Sequence, residues 1–353
     1  MAPPDAAQVA EPVEEISFGG RRLSAGALLD IVGRVREAGI AVALALLVLV
    51  VAIIEPRFIK PDNLEEILLS VSILAIVAIG QTLVVLTRNI DLSVGSTVGL
   101  VAFVCADTLK GSPGTSVLVI IVLGILLGAG LGVINGLLVT VGKVPAIVAT
   151  LGTLYIFRGA DFTIAGGKEV SASDVPDAYL NLATNRVAGI PALILFAAVV
   201  LVIASFALRR SRAGRELYAI GSNPDAARLA GVRSDRLVFA AFVVCGALCG
   251  LAGVLWGARF ATVDARAASG LELAVVAAVV VGGVNIFGGS GSAIGATLGA
   301  ILLGTIENAL SILKLNQFWL QAIQGAVIIA AVTLDALVTR RLQRALRRAR
   351  ARA

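Results

Sequence analysis

The stretch Thr87-Arg88-Asn89-Ile90-Asp91-Leu92-Ser93-Val94-Gly95-Ser96 separates two apolar runs, Ile67–Leu86 and Val94–Cys105. It therefore lies at or inside a membrane boundary. An ionised side chain at the centre of a bilayer helix costs about 2.5–3.5 kcal/mol on insertion scales. Arg88 and Asp91, three residues apart, are thus expected to pair or to face a wet cavity. Gly95 and Gly99 permit a broken or closely packed helix beside such a site. A simpler reading makes the stretch a helix–loop–helix turn, with Asn89-Ile90-Asp91 as polar loop and Ser93 as the N-cap of the next helix.

The rest of the composition agrees with a membrane setting. Of 353 residues, 58% are hydrophobic and 15% charged, and the mean hydropathy is +0.97. A soluble chain of this size has no way to hide so much apolar surface. The fold class is therefore an all-α polytopic membrane protein, and its 38 glycines suit closely packed membrane helices. There is no histidine, which excludes proton relays and metal sites built on imidazole. Cys105, Cys245 and Cys249 lie in apolar runs and read as small packing residues, so no metal site is expected.

Measured against the roughly 20 residues a bilayer requires, helices are expected near 38–55, 65–87, 93–109, 116–140, 144–160, 190–208, 236–258, 271–287, 291–311 and 318–338. That is about ten spans, eight if the short third and Gly-interrupted fifth are discounted. Residues 1–37 read as a polar tail, with a short amphipathic helix near Leu23–Val35, residues 38–339 as the membrane domain, and 340–353 as a basic tail. Lys and Arg collect in the tail, at Arg88 and Lys143, between 209 and 236, and after 339. Their placement favours both ends inside. The pI near 9.6 then reflects topology and anionic lipid, with no nucleic acid implied.

Gly124, Gly128, Gly132 and Gly136 recur every four residues, as do Gly291, Gly295 and Gly299. Such stripes let another helix approach closely. The spacing in Gly95-Ser96-Thr97-Val98-Gly99 recurs in Gly291-Ser292-Ala293-Ile294-Gly295, which hints at duplicated halves. Within the polar segment Arg209–Arg236, Asn223 can cap a helix, Pro224 suits its first position and Gly231 can end it. The result is a two-turn helix outside the membrane, either a surface connector or a docking knob.

Asp225-Ala226-Ala227-Arg228-Leu229-Ala230-Gly231 resembles the cytoplasmic Glu-Ala-Ala…Gly signature of ABC-importer permeases, with Asp in place of Glu. Asn89–Ser96 resembles the Ile-Asp-Leu-Ser-Val-Gly-Ser element of the ribose/xylose/arabinose-type permeases. Pro145–Thr153, Arg158-Gly159, Gly214–Asn223, Val281-Gly282-Gly283 and Phe287–Gly291 resemble that family too. The lead-in Thr87-Arg88-Asn89 is closer to its rhamnose and autoinducer-2 branches. The likeness runs from about residue 40 to 338, and the Ile-x-Leu-Pro that follows the broader signature is absent.

The resemblance implies a permease subunit in the bacterial inner membrane, importing a monosaccharide such as rhamnose or else autoinducer-2. Its implied partners are a second permease (a copy or a paralogue), a cytoplasmic ATP-binding subunit and an extracytoplasmic solute-binding protein. ATP and Mg would be used by the partner, with no cofactor bound here. The chain has no G-x-x-x-x-G-K-[ST] sequence, so ATP hydrolysis belongs elsewhere. Coupling would run through Asn223, Asp225, Ala226, Ala227, Arg228 and Gly231. Neutral sugars require hydrogen-bonding groups, which makes Asn89, Asp91, Asn135, Thr150, Asn285, Asn308 and Gln324 the pathway candidates. Two other classes stand beside this one. An ion-coupled secondary sugar transporter would use Asp91, Glu272 or Glu307, and a scaffold or channel subunit would need no docking helix.

Overall fold

The computed structural model describes residues 16–18, 21–23 and 25–316, and beyond that only 318, 319, 321–326, 329 and 333, with side chains described from 38 onward. The expected tenth span at 318–338 and the tail at 340–353 therefore fall outside the described residues or are only sampled by them.

A hairpin, β1 (Ile16–Phe18) with β2 (Arg21–Leu23), leads into α1 (Ala25–Ile54). That helix begins within the expected tail and runs without a break into the first apolar segment. There follow α2 (Pro61–Leu86), α3 (Val94–Gly111), α4 (Val117–Thr140), α5 (Ala146–Ala165), α6 (Asp177–Thr184), the two-residue strands β3 (Arg186–Val187) and β4 (Ile190–Pro191), and α7 (Ala192–Arg210). The chain then forms α8 (Arg212–Ser222), α9 (Pro224–Leu229), α10 (Ser234–Phe260), α11 (Leu271–Val281) and α12 (Ala293–Ile312). Among the described residues, seven helices are long and apolar enough to cross a membrane: α2, α3, α4, α5, α7, α10 and α12. Ala38–Ile54 and Leu271–Val281 are shorter apolar helices.

The ends follow local chemistry. Pro61 opens α2 and Pro224 opens α9, where a missing N–H costs nothing. The Ser292 hydroxyl accepts from the Gly295 N–H at 2.9 Å and caps α12. Helix α11 was expected to reach 287 but stops at Val281, about 16 Å of helix by length. Gly283, Gly288, Gly289 and Gly291 all take positive φ, so the chain turns back on itself in a loop, 282–292, where a continuous span was expected.

Helix α10 lies at the centre, packed along α4, α3 and α2, while α12 packs on α2 and α11 and α5 packs on α3. The glycine stripe of α4 forms the seam with α10. A Cβ at Gly128 would collide with the Gly246 carbonyl and stand 2.6 Å from the Gly250 nitrogen, and one at Gly132 would stand 3.0 Å from the Val243 Cα. Gly246 and Gly250 meet Gly128 and Gly124 in return. Backbones thus touch directly, where van der Waals contact is the main attraction available in lipid. Leu46, Leu49 and Ile53 of α1, Leu118 and Leu126 of α4 and Val202 and Phe206 of α7 remain exposed as apolar outer faces.

At the end of α3 opposite the 87–93 loop, Lys110 donates to Asp174 at 2.9 Å. The Ser171 backbone N–H and hydroxyl also bond this carboxylate. These hydrogen bonds hold its pKa at about 2, the Ser171 N–H contributing most.

Gly128→Val should lower the thermal midpoint sharply or abolish folding, because overpacking costs about 1–3 kcal/mol even where neighbours can yield. Gly130→Val, on the same helix with nothing within 4 Å of its Cβ, should be neutral. Thermal unfolding of the two variants in lipid nanodiscs checks the contrast.

Candidate functional site

The signature stretch begins with a helix C-terminus. Arg88 N–H bonds the Val85 carbonyl at 2.9 Å and Asn89 N–H bonds the Val84 carbonyl at 3.3 Å, the paired closure of a Schellman motif. The left-handed position in that motif is normally glycine. Here it is Arg88, at φ 68°, a conformation costing a non-glycine residue about 1–2 kcal/mol. The turn sends the guanidinium outward. Its Nε donates to the Gly221 carbonyl at 2.6 Å and its Nη2 to the Ser222 carbonyl at 3.0 Å, so a cation sits on the last carbonyls of α8. Among the described residues Arg88 and Asp91 form no ion pair. The expected pairing fails because residues 88–91 are not helical, and a spacing of three joins side chains only on a helix.

Asp91, 3% exposed, folds back on its own loop. Its Oδ1 accepts from the Ser93 N–H at 2.8 Å and the Ser93 hydroxyl at 2.7 Å. Asn135 of α4, 1% exposed, donates through Nδ2 to Ser93 Oγ at 2.8 Å and reaches Asp91 Oδ2 at 3.3 Å. Thr153 of α5 donates to Asn135 Oδ1 at 2.7 Å. Thr150 bonds the Ile90 carbonyl at 3.2 Å as well as its own helix. Three of the expected residues, Asp91, Asn135 and Thr150, therefore meet in one buried network joining the 87–93 loop, α4 and α5. Ser93 occupies the N-cap position of α3 but makes no side-chain cap bond, its hydroxyl being held by Asp91 and Asn135.

The other candidates lie elsewhere. Asn89 donates to the Thr87 carbonyl and hydroxyl, and Asn285 accepts from the Phe287 N–H, each closing a turn. Asn308 exchanges two 3.0 Å bonds with Asn63, pinning α12 to α2. Gln324 is half-buried. Sequence reasoning missed Thr153, one turn beyond Thr150. It also missed Gln81, which is fully buried with both amide atoms unpartnered among the described residues. A second buried polar cluster was missed as well. Arg158 donates to the Ala265 and Ala267 carbonyls at 3.0 and 2.8 Å and stands 3.6 Å from Asp161. The Arg-x-x-Asp spacing on a helix was the available signal.

The docking segment has the expected helix. Asn223 caps α9 by accepting from the Ala226 N–H at 3.1 Å, and Gly231 follows at φ 80°. Its two faces differ. Ala227 is 5% exposed, whereas Leu229 is 91% exposed. Beside α9 a cavity of about 590 Å³ is lined by Lys143, Arg228, Arg233, Ser234, Asp235 and Arg236, with Lys143 bonded to Asp235 at 2.8 Å.

Residues 63–332 match the family described as "Branched-chain amino acid transport system / permease component". The chain belongs to this family. The permease is 35% identical to the ribose import permease protein RbsC of Haemophilus influenzae over 83% of its own length and 91% of the relative's. It is 37% identical to the autoinducer 2 import system permease protein LsrC of an Enterobacter strain, over 88% and 89% respectively. The RbsC of Escherichia coli K12 is 34% identical over 83% and 92%. No solved structure matches. The permease is a transport subunit and not an enzyme, and the resemblance of its motifs to ABC sugar-importer permeases holds. The family's description names amino acids while these relatives are named for ribose and autoinducer 2, so the family alone assigns no substrate.

Asn135→Ala should destabilise the permease measurably, since each buried group left unpaired costs about 1–3 kcal/mol, and Ser93, Asp91 and Thr153 all lose a partner. Thr153→Val removes the hydroxyl's bonds to Asn135 Oδ1 and to the Thr150 carbonyl of its own helix, strands fewer buried partners and should cost less. Chemical unfolding in matched nanodiscs gives the order.

Proposed function

We propose that this permease is the membrane-spanning subunit of an ATP-driven, binding-protein-dependent importer of a monosaccharide-sized neutral solute, such as ribose, a rhamnose-like sugar or autoinducer-2, in a bacterial plasma membrane. The observation that carries the reading is α9: a capped two-turn helix seated by Ala227, with Leu229 displayed to a partner. A leucine of a soluble-facing helix that is nine-tenths exposed gains about 1.5–3 kcal/mol when a partner covers it. The basic cavity beside it offers Arg228, Arg233 and Arg236 to acidic groups of an ATP-binding subunit, which favours oriented docking. The pathway would run past the buried Asp91–Asn135–Thr153 network, whose amides and hydroxyls suit sugar hydroxyls. A second permease would complete it, and an extracytoplasmic binding protein would deliver the solute. Nucleotide-driven closure of the ATP-binding subunits would then shift the permease between two access states by differential affinity.

Reconstitution tests this directly. Proteoliposomes carrying the permease with its ATP-binding subunit and binding protein should accumulate the solute on ATP addition. The permease alone should hydrolyse no ATP. Accumulation driven by a proton or sodium gradient without those partners would establish the ion-coupled alternative instead.

Leu229→Asp should weaken association with the ATP-binding subunit by about tenfold or more, one decade per 1.4 kcal/mol. A cysteine at Leu229 should cross-link to that subunit, and one at Ala227, facing the bundle, should not. Asp91→Asn should lower uptake more than assembly. Adding Arg88→Gln should not restore it, because the two charges do not touch. Uptake normalised to assembled complex reads both.

A further inference from the structure

Three segments converge at the end of the bundle that carries α9. The Leu86 carbonyl at the end of α2 accepts from the Gly289 N–H at 3.1 Å, tying the 87–93 loop to the 282–292 loop. Arg88 holds the Gly221 and Ser222 carbonyls, the last residues of α8 before Asn223 caps α9. The Tyr218 hydroxyl donates to the Gly291 carbonyl at 2.8 Å, so α8 also grips the second loop, one residue before the Ser292 cap of α12. There is no slack in this junction. A Cβ at Gly221 would collide with the Leu86 carbonyl and the Gly289 nitrogen, and one at Gly288 would stand 2.6 Å from Arg88 Cγ.

Arg88 is placed here against its own backbone preference, in a left-handed turn where glycine is the comfortable residue. Three residues on in the same loop, Asp91 enters the buried network of α4 and α5. Residues 88–91 thus join the carbonyl end of α8 to that network. Hydrogen bonds to main-chain carbonyls transmit displacement of the α8–α9 corner without depending on which side chains α8 presents.

We propose that Arg88 is the positioning residue through which movement of α9 reaches the Asp91 network and α3, with Tyr218 the parallel link to α12. The proposal rests on the importer reading for the force that moves α9. The wiring itself is tested without that force. In the purified permease in nanodiscs, Ala227→Leu overfills the seat of α9 and displaces the helix. With Arg88 present, hydrogen exchange at the 87–93 amides should rise by about fivefold, the size of coupling expected between residues in one hydrogen-bonded network. In an Arg88→Ala background, the same Ala227→Leu change should leave those amides within about twofold of the single variant. Additive effects of the two substitutions would overturn the relay and leave Arg88 a purely structural cap.

In the assembled transporter, Arg88→Ala should retain ATP hydrolysis while solute imported per ATP falls by about tenfold, a loss of coupling of the usual allosteric size. Arg88→Lys, with the charge but not the forked donors, should fall between. It replaces Arg88→Ala in both measurements if the alanine variant does not fold. Unchanged import per ATP would also overturn the proposal. If the wild-type complex imports nothing on ATP, the importer reading fails, and the exchange experiment still decides the wiring.

Discussion

Hydrocarbon offers no hydrogen bonds, so each place where a helix of this permease breaks must find its own partners for the exposed backbone. The structure meets that constraint by bringing breaks together. The end of α2 gives its Leu86 carbonyl to Gly289 of the loop after α11. The turn before α11 gives the Ala265 and Ala267 carbonyls to Arg158. Asp91 takes the Ser93 N–H at the start of α3. An unsatisfied backbone group in an apolar interior costs several kcal/mol, so these pairings decide which breaks are tolerated and where they sit.

One consequence is a division between a stiff part and a jointed part. At the middle of the α4–α10 seam Gly128 meets Gly246 and Gly250 with no side chain between, and such a contact has no rotamers to adjust. Around Leu86, Gly221 and Gly289 the backbones pack as closely, but the segments are joined by directional hydrogen bonds from Gly289 and Arg88, whose partners can be exchanged at small net cost. A transporter needs both: a frame that keeps its shape and breaks that switch between discrete arrangements. The joints lie at the end that carries α9, next to the surface a partner would push.

Much of this was legible in the sequence. Apolar run lengths located α2, α4, α7, α10 and α12 to within a few residues, because a bilayer fixes span length. The four-residue glycine period correctly marked a helix contact. Asn223, Pro224 and Gly231 fixed α9 from capping chemistry alone. Two readings did not carry through, for related reasons. Arg88 and Asp91 were matched by spacing, yet a left-handed turn between the end of α2 and Asp91 sends them apart. Helix α11 was given its full apolar length, yet successive glycines turn the chain at Gly282–Gly283.

What the sequence determined by itself is what local chemistry and a bilayer fix together: an all-α membrane protein, the positions of its long apolar helices α2, α4, α7, α10 and α12, the capped α9 helix, and membership of a permease family through dense motifs. What only the tertiary structure decided is which polar groups share a neighbourhood. That Asn135 meets both Asp91 and Thr153, that Gly124, Gly128 and Gly132 face Gly246 and Gly250, and that Arg88 holds α8 are contacts between segments 18 to 134 residues apart. Periodicity along one helix gives the face a side chain occupies but not the helix it faces. That choice is made when close packing and the demand for hydrogen-bond partners are satisfied across the whole bundle at once.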